Sequence, residues 1–303
     1  MALKLGSATT ERLERILIYG DPKTGKTRLA TSLTARFGDS LYVAADPGSG
    51  GLSSVLEGYR SRLRVVSMEY PPNKPLSATD NPHKDAFLVA CNDWIGAGAP
   101  KEWGNTPPIK TLIWDTMTAT AQDILSYVAM SGQFSDKAHI GLGQPGGVEH
   151  QKLPMQGDYM ATQNIVSRLV DFLFKQPLHL IVLCHAGFDE PKEGGNVEGG
   201  PATSGKATIR SFPGKFDTVV HLTRKMATGV QGAAASSVSA WTERHGIWSA
   251  GIRSGHSTNP MPKIDLEPDP INFWLNFDKH FVTNNGCTTP GTQDSSMAKD
   301  ASK

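Results

Sequence analysis

The chain has 303 residues, of which 30 are Lys or Arg, 29 are Asp or Glu, and 38% are hydrophobic. This length can supply one sizeable core, and the net charge of +1 excludes a globally basic nucleic-acid-binding surface. No apolar run approaches the roughly 20 residues that cross a bilayer, and the first residues lack the apolar stretch of a signal peptide. The cysteines Cys91, Cys184 and Cys287 form no C-x-x-C pair, which argues against a disulfide framework or a structural zinc site. We therefore expect a cytoplasmic protein without membrane contact.

Short apolar runs recur along the first two thirds of the chain. Runs that are apolar at every position are typical of strands covered on both faces, as in a parallel sheet. Helical patterns separate several of them, most clearly over residues 158–174, where apolar side chains recur at helical spacing. The alternation predicts an α/β fold with a mostly parallel sheet flanked by helices. The predicted strands span residues 15–19, 41–45, 63–68, 111–114 and 179–184.

The pattern changes after residue 217. Three further strand-like runs, 218–222, 237–241 and 247–253, are joined by short polar connections, which predicts an antiparallel C-terminal extension of the sheet. A last helix is predicted after Asp269, with Pro270 at its first position. The sequence thus predicts one domain over 15–283.

Polar segments lie at both ends of this predicted domain and inside it. Residues 1–14 form a short leader, and residues 284–303 are small and polar, which predicts a disordered tail. Three long internal stretches are loop-like: 70–82, 131–157 and 186–213. Loops of this length are usually functional or disordered.

One motif carries the strongest chemical signal. A full G-x-x-x-x-G-K-T sequence follows the first predicted strand and precedes a predicted helix over 27–37. In such a loop the backbone N–H groups surround phosphate oxygens, the lysine neutralises the β- and γ-phosphates, and the threonine hydroxyl completes a Mg²⁺ shell. The alternative is a glycine-rich turn without a ligand. The candidate nucleotide-binding residues for ATP and Mg²⁺ are Gly20, Asp21, Pro22, Lys23, Thr24, Gly25, Lys26, Thr27 and the adjacent Arg28.

Three polar residues follow predicted strands and would meet at the carboxyl edge of a parallel sheet. Asp115 ends the run TLIW and is the candidate partner of Thr27 at the metal; the alternative is an ordinary helix-capping aspartate. Asp46 ends the run LYVAA and is a candidate to activate the attacking water, unless it only forms a turn. His185 follows the fifth run and is a candidate sensor of the γ-phosphate, although a structural histidine is equally compatible with the pattern.

The order of these features resembles that of RecA-type ATPases, especially the compact phage-encoded relatives that act in single-strand annealing or recombination. The stretches 212–220 and 248–253 are also similar to segments of those proteins. The resemblance implies a RecA-like core, with Asp46 as the water-activating carboxylate and His185 as the sensor. It also implies a homo-oligomer in which Arg253 acts in a neighbouring subunit's site. Asp46 departs from the family's usual Glu, and Gly251 stands where related helicases carry Lys.

The resemblance further implies that loops 131–157 and 186–213 contact single-stranded DNA. In the second half of the segment 187–217, cations alternate with aromatic rings, an arrangement suited to phosphate contact and base stacking. A surface loop with solvated charges is the alternative. The candidate DNA-binding residues are Lys206, Arg210, Phe212 and Lys215, with Phe216 beside them.

Three functions follow from these observations. The first is an ATPase that binds single-stranded DNA in phage-type recombination, annealing or replication, in the cytoplasm of a host cell. The second is a nucleotide-gated scaffold or loader with little hydrolysis, which the short side chain of Asp46 keeps open. The third is a small-molecule kinase, which the small number of arginines in the loops disfavours.

Overall fold

The computed structural model describes most of the predicted domain, with several gaps. The described residues are 13–46, 52–53, 55–67, 109–131, 154–176, 178–189, 197–203, 206–226, 236–242, 248, 250–252, 264–265 and 270–282. The tail 284–303, the loop 70–82, nearly all of the leader and most of 131–157 lie outside them.

The strands are numbered here in chain order. All five predicted strands of the first two thirds are confirmed, with ends that shift by one residue except for the fifth, which is longer. The strands are β1 (Arg15–Gly20), β2 (Ser40–Ala44), β3 (Leu63–Ser67), β4 (Thr111–Asp115), β5 (His179–Asp189), β6 (Glu198–Ala202), β7 (Thr218–Met226), β8 (Ser236–Trp241), β9 (Gly251–Ile252) and β10 (Ile264–Asp265).

One mixed sheet contains all ten of these strands. Its main order is β10-β8-β7-β1-β5-β4-β2-β3, while β6 pairs with β5 and β9 pairs with β7. The six neighbours from β7 to β3 are parallel, and β6, β8, β9 and β10 are antiparallel to their partners. The mostly parallel sheet is therefore confirmed. The assignment of 218–222 to the antiparallel extension is wrong, because these residues pair in parallel with β1 and extend the central sheet.

Helices connect and cover the strands. The predicted helix over 27–37 is divided at Leu33 into two short helices, and the helix predicted over 158–174 begins two residues earlier. The helix after Pro270 is confirmed. The helices are α1 (Lys26–Ser32), α2 (Thr34–Phe37), α3 (Glu57–Arg60), α4 (Met117–Ser131), α5 (Gln156–Leu173), α6 (Lys206–Ser211) and α7 (Ile271–Val282). None of the helices within the described residues has the length and apolar character needed to span a bilayer.

The region 186–213 is more regular than the loop predicted from its sequence. β5 continues to Asp189, β6 returns against it, and α6 follows. The glycines and prolines that suggest a loop here are compatible with β6, because its only strand partner among the described residues is β5, apart from a single bridge between Gly199 and Trp248. The carboxyl edge of the sheet therefore carries a β5–β6 hairpin.

A separate apolar core covers each face of the sheet. Leu17 and Tyr19 of β1 point to the face covered by α4 and α5, whereas Ile16 and Ile18 point to the face covered by α1 and α7. Because both faces are buried, every position of a central strand must be apolar, which explains the continuous apolar runs.

Helix α7 packs on the same face of the sheet as α1, and Trp274 joins the two helices. Its side chain is fully buried, and its indole Nε1 donates a hydrogen bond to the Leu29 carbonyl oxygen of α1 at 3.2 Å. This contact links the C-terminal helix to the helix that follows the glycine-rich loop.

We predict that Trp274→Ala lowers the free energy of unfolding by about 3–5 kcal/mol, because it leaves a large cavity in this core. Leu275→Ala is the matched control, since the adjacent Leu275 is half exposed and its truncation should cost within about 0.5 kcal/mol. Urea unfolding of both variants measures the difference. Equal losses would show that α7 is not anchored through Trp274.

Candidate functional site at the carboxyl edge of the sheet

Four neighbouring strands bring polar residues to one edge of the sheet. Gly20 ends β1 and pairs in register with His185 on β5. Asp115 ends β4 and lies opposite Ala44, the last residue of β2, with Asp46 two residues further along the chain. Because these strands are parallel, their carboxyl ends meet, as the sequence predicts.

Two glycines allow the loop between β1 and α1 to adopt its path. A Cβ atom on Gly20 would lie 2.4 Å from the Leu222 carbonyl oxygen of β7, so a side chain cannot fit there. Gly25 has a φ of 82°, a conformation that L-residues with side chains rarely adopt, and α1 begins at the next residue. The backbone of the loop therefore turns tightly at the N-terminus of a helix.

Lys26 is the buried cation of the loop. Its side chain is 6% exposed, and its ammonium group donates hydrogen bonds to the carbonyl oxygens of Gly20 at 2.9 Å and Asp21 at 2.8 Å. Burial lowers the pKa of Lys26, while the negative charges of Asp115 and Asp46 act in the opposite direction. The lysine charge is thus surrounded by oxygen atoms in a site largely removed from water.

Asp115 accepts two hydrogen bonds on a single carboxylate oxygen. Thr27 Oγ1 donates to Oδ2 at 2.6 Å, and the hydroxyl of Tyr42 donates to the same Oδ2 at 2.5 Å. Burial raises the pKa of Asp115, and these two donors oppose that shift because they stabilise the carboxylate. The predicted partnership of Thr27 and Asp115 is present in the structure. Tyr42 was not anticipated, because it lies inside an apolar run and has the pattern of a core residue.

Asp46 and His185 face each other beside this cluster. The distance from Asp46 Oδ2 to His185 Nε2 is 4.0 Å, and both side chains are partly exposed. Burial, with the nearby charge of Lys26, lowers the pKa of His185, so the imidazole is neutral at neutral pH. The structure therefore brings together the two residues that the sequence nominates for water activation and phosphate sensing, whose roles stay predictions.

Thr118, on the first turn of α4, joins the site to the β5–β6 hairpin. Its hydroxyl accepts a hydrogen bond from the His185 backbone N–H at 2.9 Å and donates one to the Ala202 carbonyl oxygen of β6. Thr118 follows Asp115 by three residues, so one short segment carries both the partner of Thr27 and the contact to the hairpin. No motif in the sequence marks this threonine.

A column of rings runs from β1 to the hairpin. Tyr19 stacks on His221 at a centroid distance of 4.5 Å, and His221 stacks on Trp248 at 4.3 Å. Trp248 then contacts Phe188 of β5 at 4.9 Å. Gly199 makes room for this arrangement, because a Cβ there would lie 2.4 Å from the Trp248 ring. Phe188, at the outer end, is 53% exposed.

Two of the candidate DNA-binding cations form ion pairs. Arg210 contacts Asp189 at 3.1 Å and Glu198 at 2.8 Å, which ties α6 to the hairpin. Lys215 contacts Asp171 of α5 at 2.7 Å. These carboxylates reduce the positive charge available to a phosphate backbone.

Phe212 is not placed as its predicted stacking role requires. Its side chain is 3% exposed and packs on Phe216 in the core, so the expectation that its ring stacks on bases is wrong. The short helix α6 and the turn after it direct the ring inward. Lys206 begins α6, and Arg253 lies outside the described residues.

The oxygen donors at the edge fit Mg²⁺. This ion prefers oxygen ligands and keeps water and phosphate oxygens in its shell, so it needs few protein ligands. Thr27 supplies a hydroxyl and Asp115 a carboxylate, and they already contact each other. Among the described residues, no group of three or more His, Cys, Asp or Glu side chains is arranged to hold a metal ion.

The site combines a tight glycine loop between a buried strand and a helix with a lysine and a threonine that lie beside a strand-end aspartate. This combination defines the class of P-loop ATPase-type domains. The chain belongs to the AAA domain family, whose model matches residues 13–254. A comparison with curated proteins finds no match for the chain.

We predict that Thr118→Val loosens the β5–β6 hairpin. Valine has nearly the same shape but leaves the N–H of His185 and the carbonyl of Ala202 without this partner, each loss costing about 1 kcal/mol. Hydrogen exchange of peptides covering 185–202 should then be several times faster than in wild type. Thr118→Ser keeps the hydroxyl and should exchange as wild type does. Unchanged exchange in the valine variant would contradict the link.

Proposed function

We propose that the protein is a Mg²⁺-dependent ATPase that binds single-stranded DNA and acts in recombination, annealing or replication. The observation that carries the nucleotide part is the cluster of the buried Lys26 and Asp115 with the half-buried Thr27 at the end of the glycine loop. In this proposal Lys26 releases the loop carbonyls and binds the β- and γ-phosphates. Thr27 and Asp115 would hold the metal, which would supply positive charge near the phosphates.

Hydrolysis also requires a group that orients or deprotonates water. Asp46 is partly exposed, lies beyond the end of β2, and has its carboxylate close enough to influence Lys26. We assign it the role of general base, and we assign His185 the role of sensing the phosphate opposite it. Through the Thr118 hydrogen bonds, a shift of β4 or β5 on phosphate release would reach the hairpin.

The DNA part of the proposal rests on the resemblance to annealing and recombination ATPases. The β5–β6 hairpin is the surface that we assign to DNA contact. Phe188 presents a half-exposed ring, supported from below by Trp248 and lying next in sequence to the ion-paired Asp189. A supported aromatic ring is the element that non-specific single-strand binding uses for base stacking. Phe188 therefore replaces Phe212 as the stacking candidate. A homo-oligomer with Arg253 acting in trans belongs to the same proposal.

A nucleotide-gated scaffold with little hydrolysis is the second candidate. Aspartate has a shorter side chain than glutamate, and the Asp46 carboxylate lies 4.0 Å from His185 Nε2. If this pair does not close around ATP, its geometry is unsuited to rapid water activation. In that case nucleotide binding alone would control the hairpin.

The decisive experiment measures ATP binding and hydrolysis with and without single-stranded DNA. We expect hydrolysis that DNA stimulates, and no nucleotide binding by Lys26→Ala, because the phosphates lose their buried counter-charge. Lys175→Ala, which removes an exposed lysine after α5, is the matched control and should behave as wild type. Hydrolysis that is indifferent to DNA would remove the DNA part of the proposal.

The variant Asp46→Asn separates the ATPase from the scaffold. The amide cannot act as a base, so turnover should fall about 100-fold or more while ATP affinity is retained. Turnover that is already negligible in wild type, with tight ATP binding, would instead support the scaffold.

We predict that Phe188→Ala weakens single-stranded DNA binding. Loss of one stacked base costs about 1–3 kcal/mol, which corresponds to an increase of roughly 5- to 150-fold in the Kd. Fluorescence anisotropy with a labelled oligonucleotide measures the change, and ATP affinity should stay as in wild type. Phe188→Tyr keeps the ring and should bind normally. Equal affinity of the alanine and tyrosine variants would exclude stacking at this position.

A further inference from the structure

The hydroxyl of Tyr42 is a polar group inside the otherwise apolar run of β2. Its side chain is 1% exposed and belongs to the core beneath α1, yet its hydroxyl reaches Asp115 Oδ2 at 2.5 Å. In the sheet Tyr42 lies opposite Ile113, which precedes Asp115 by two residues on β4. The side chains of Tyr42 and Asp115 therefore lie on the same face of the sheet. The long tyrosine side chain therefore reaches diagonally to the carboxylate at the strand end.

The two hydroxyls that donate to Asp115, those of Thr27 and Tyr42, play different parts in the site. A threonine hydroxyl has one hydrogen and two lone pairs, so once its hydrogen is directed to Oδ2 its lone pairs point elsewhere. The orientation of Thr27 Oγ1 thus depends on where Oδ2 lies. Oδ2 also accepts from the hydroxyl of Tyr42, whose side chain is packed in the core on all sides.

We propose that Tyr42 is a positioning residue for the metal of the nucleotide site. It holds the Asp115 carboxylate, and the carboxylate holds the proton of Thr27, so that the threonine lone pairs would be available to a Mg²⁺ ion arriving with ATP. This inference rests on the proposed nucleotide site. Tyr42 itself touches neither the metal nor the phosphates, so its removal should affect metal-dependent binding and leave the phosphate contacts of the loop intact.

The test compares ATP affinity in Mg²⁺ with ATP affinity in EDTA, by calorimetry on the full chain. For Tyr42→Phe we expect the affinity for MgATP to fall about tenfold, as is usual when a group behind a metal ligand is removed. Its affinity for metal-free ATP should equal that of wild type, which also shows that the variant is folded. Tyr159→Phe, at an exposed tyrosine on α5, is the control and should change neither value.

A second comparison asks whether Tyr42 acts through Asp115. In an Asp115→Asn background the metal preference is already reduced, so adding Tyr42→Phe should change the MgATP affinity no further. Independent, additive losses would overturn the inference, as would an unchanged ratio of the two affinities in the single variant. Wild-type protein that binds no nucleotide at all would instead refute the nucleotide site itself.

Discussion

The structure depends on keeping two buried charges, Lys26 and Asp115, at the edge of an otherwise apolar sheet. An isolated charge in such a place is strongly unfavourable, and it is tolerated only when hydrogen-bonding groups surround it. The carbonyl oxygens of the glycine loop surround Lys26, and the hydroxyls of Thr27 and Tyr42 meet Asp115. Three segments of the chain must be in place at once to satisfy these groups: the glycine loop with the start of α1, β2 and β4. The fold and the site therefore require the same geometry.

The central position of β5 extends this geometry beyond the site. β5 lies between the strand of the glycine loop and the strand of Asp115, and it continues outward as the first arm of the hairpin. Thr118 and the ring column connect the same hairpin to α4 and to β1. In the proposed function, a change at the phosphates would therefore have a short, packed route to a surface with an exposed ring.

Sequence reasoning was most accurate where the physical signal is local. The glycine motif and the apolar strands are determined by neighbours in the chain, and the prediction of a mostly parallel sheet is confirmed. It failed for Phe212, because alternation of cations and rings resembles a binding surface, while burial depends on how α6 packs on the hairpin. It also missed Tyr42, since a hydroxyl inside an apolar strand has a meaning only when its distant partner is known.

The sequence alone determined that a phosphate-binding loop lies between a strand and a helix, and that aspartates follow two further strands, because these features involve residues close together in the chain. Only the tertiary structure decided the strand order and the parallel pairing of β7. It also decided that Thr27 and Tyr42 share one oxygen of Asp115. These are contacts between residues far apart in the chain, and they arise from the joint packing of both sheet faces, which no local pattern encodes.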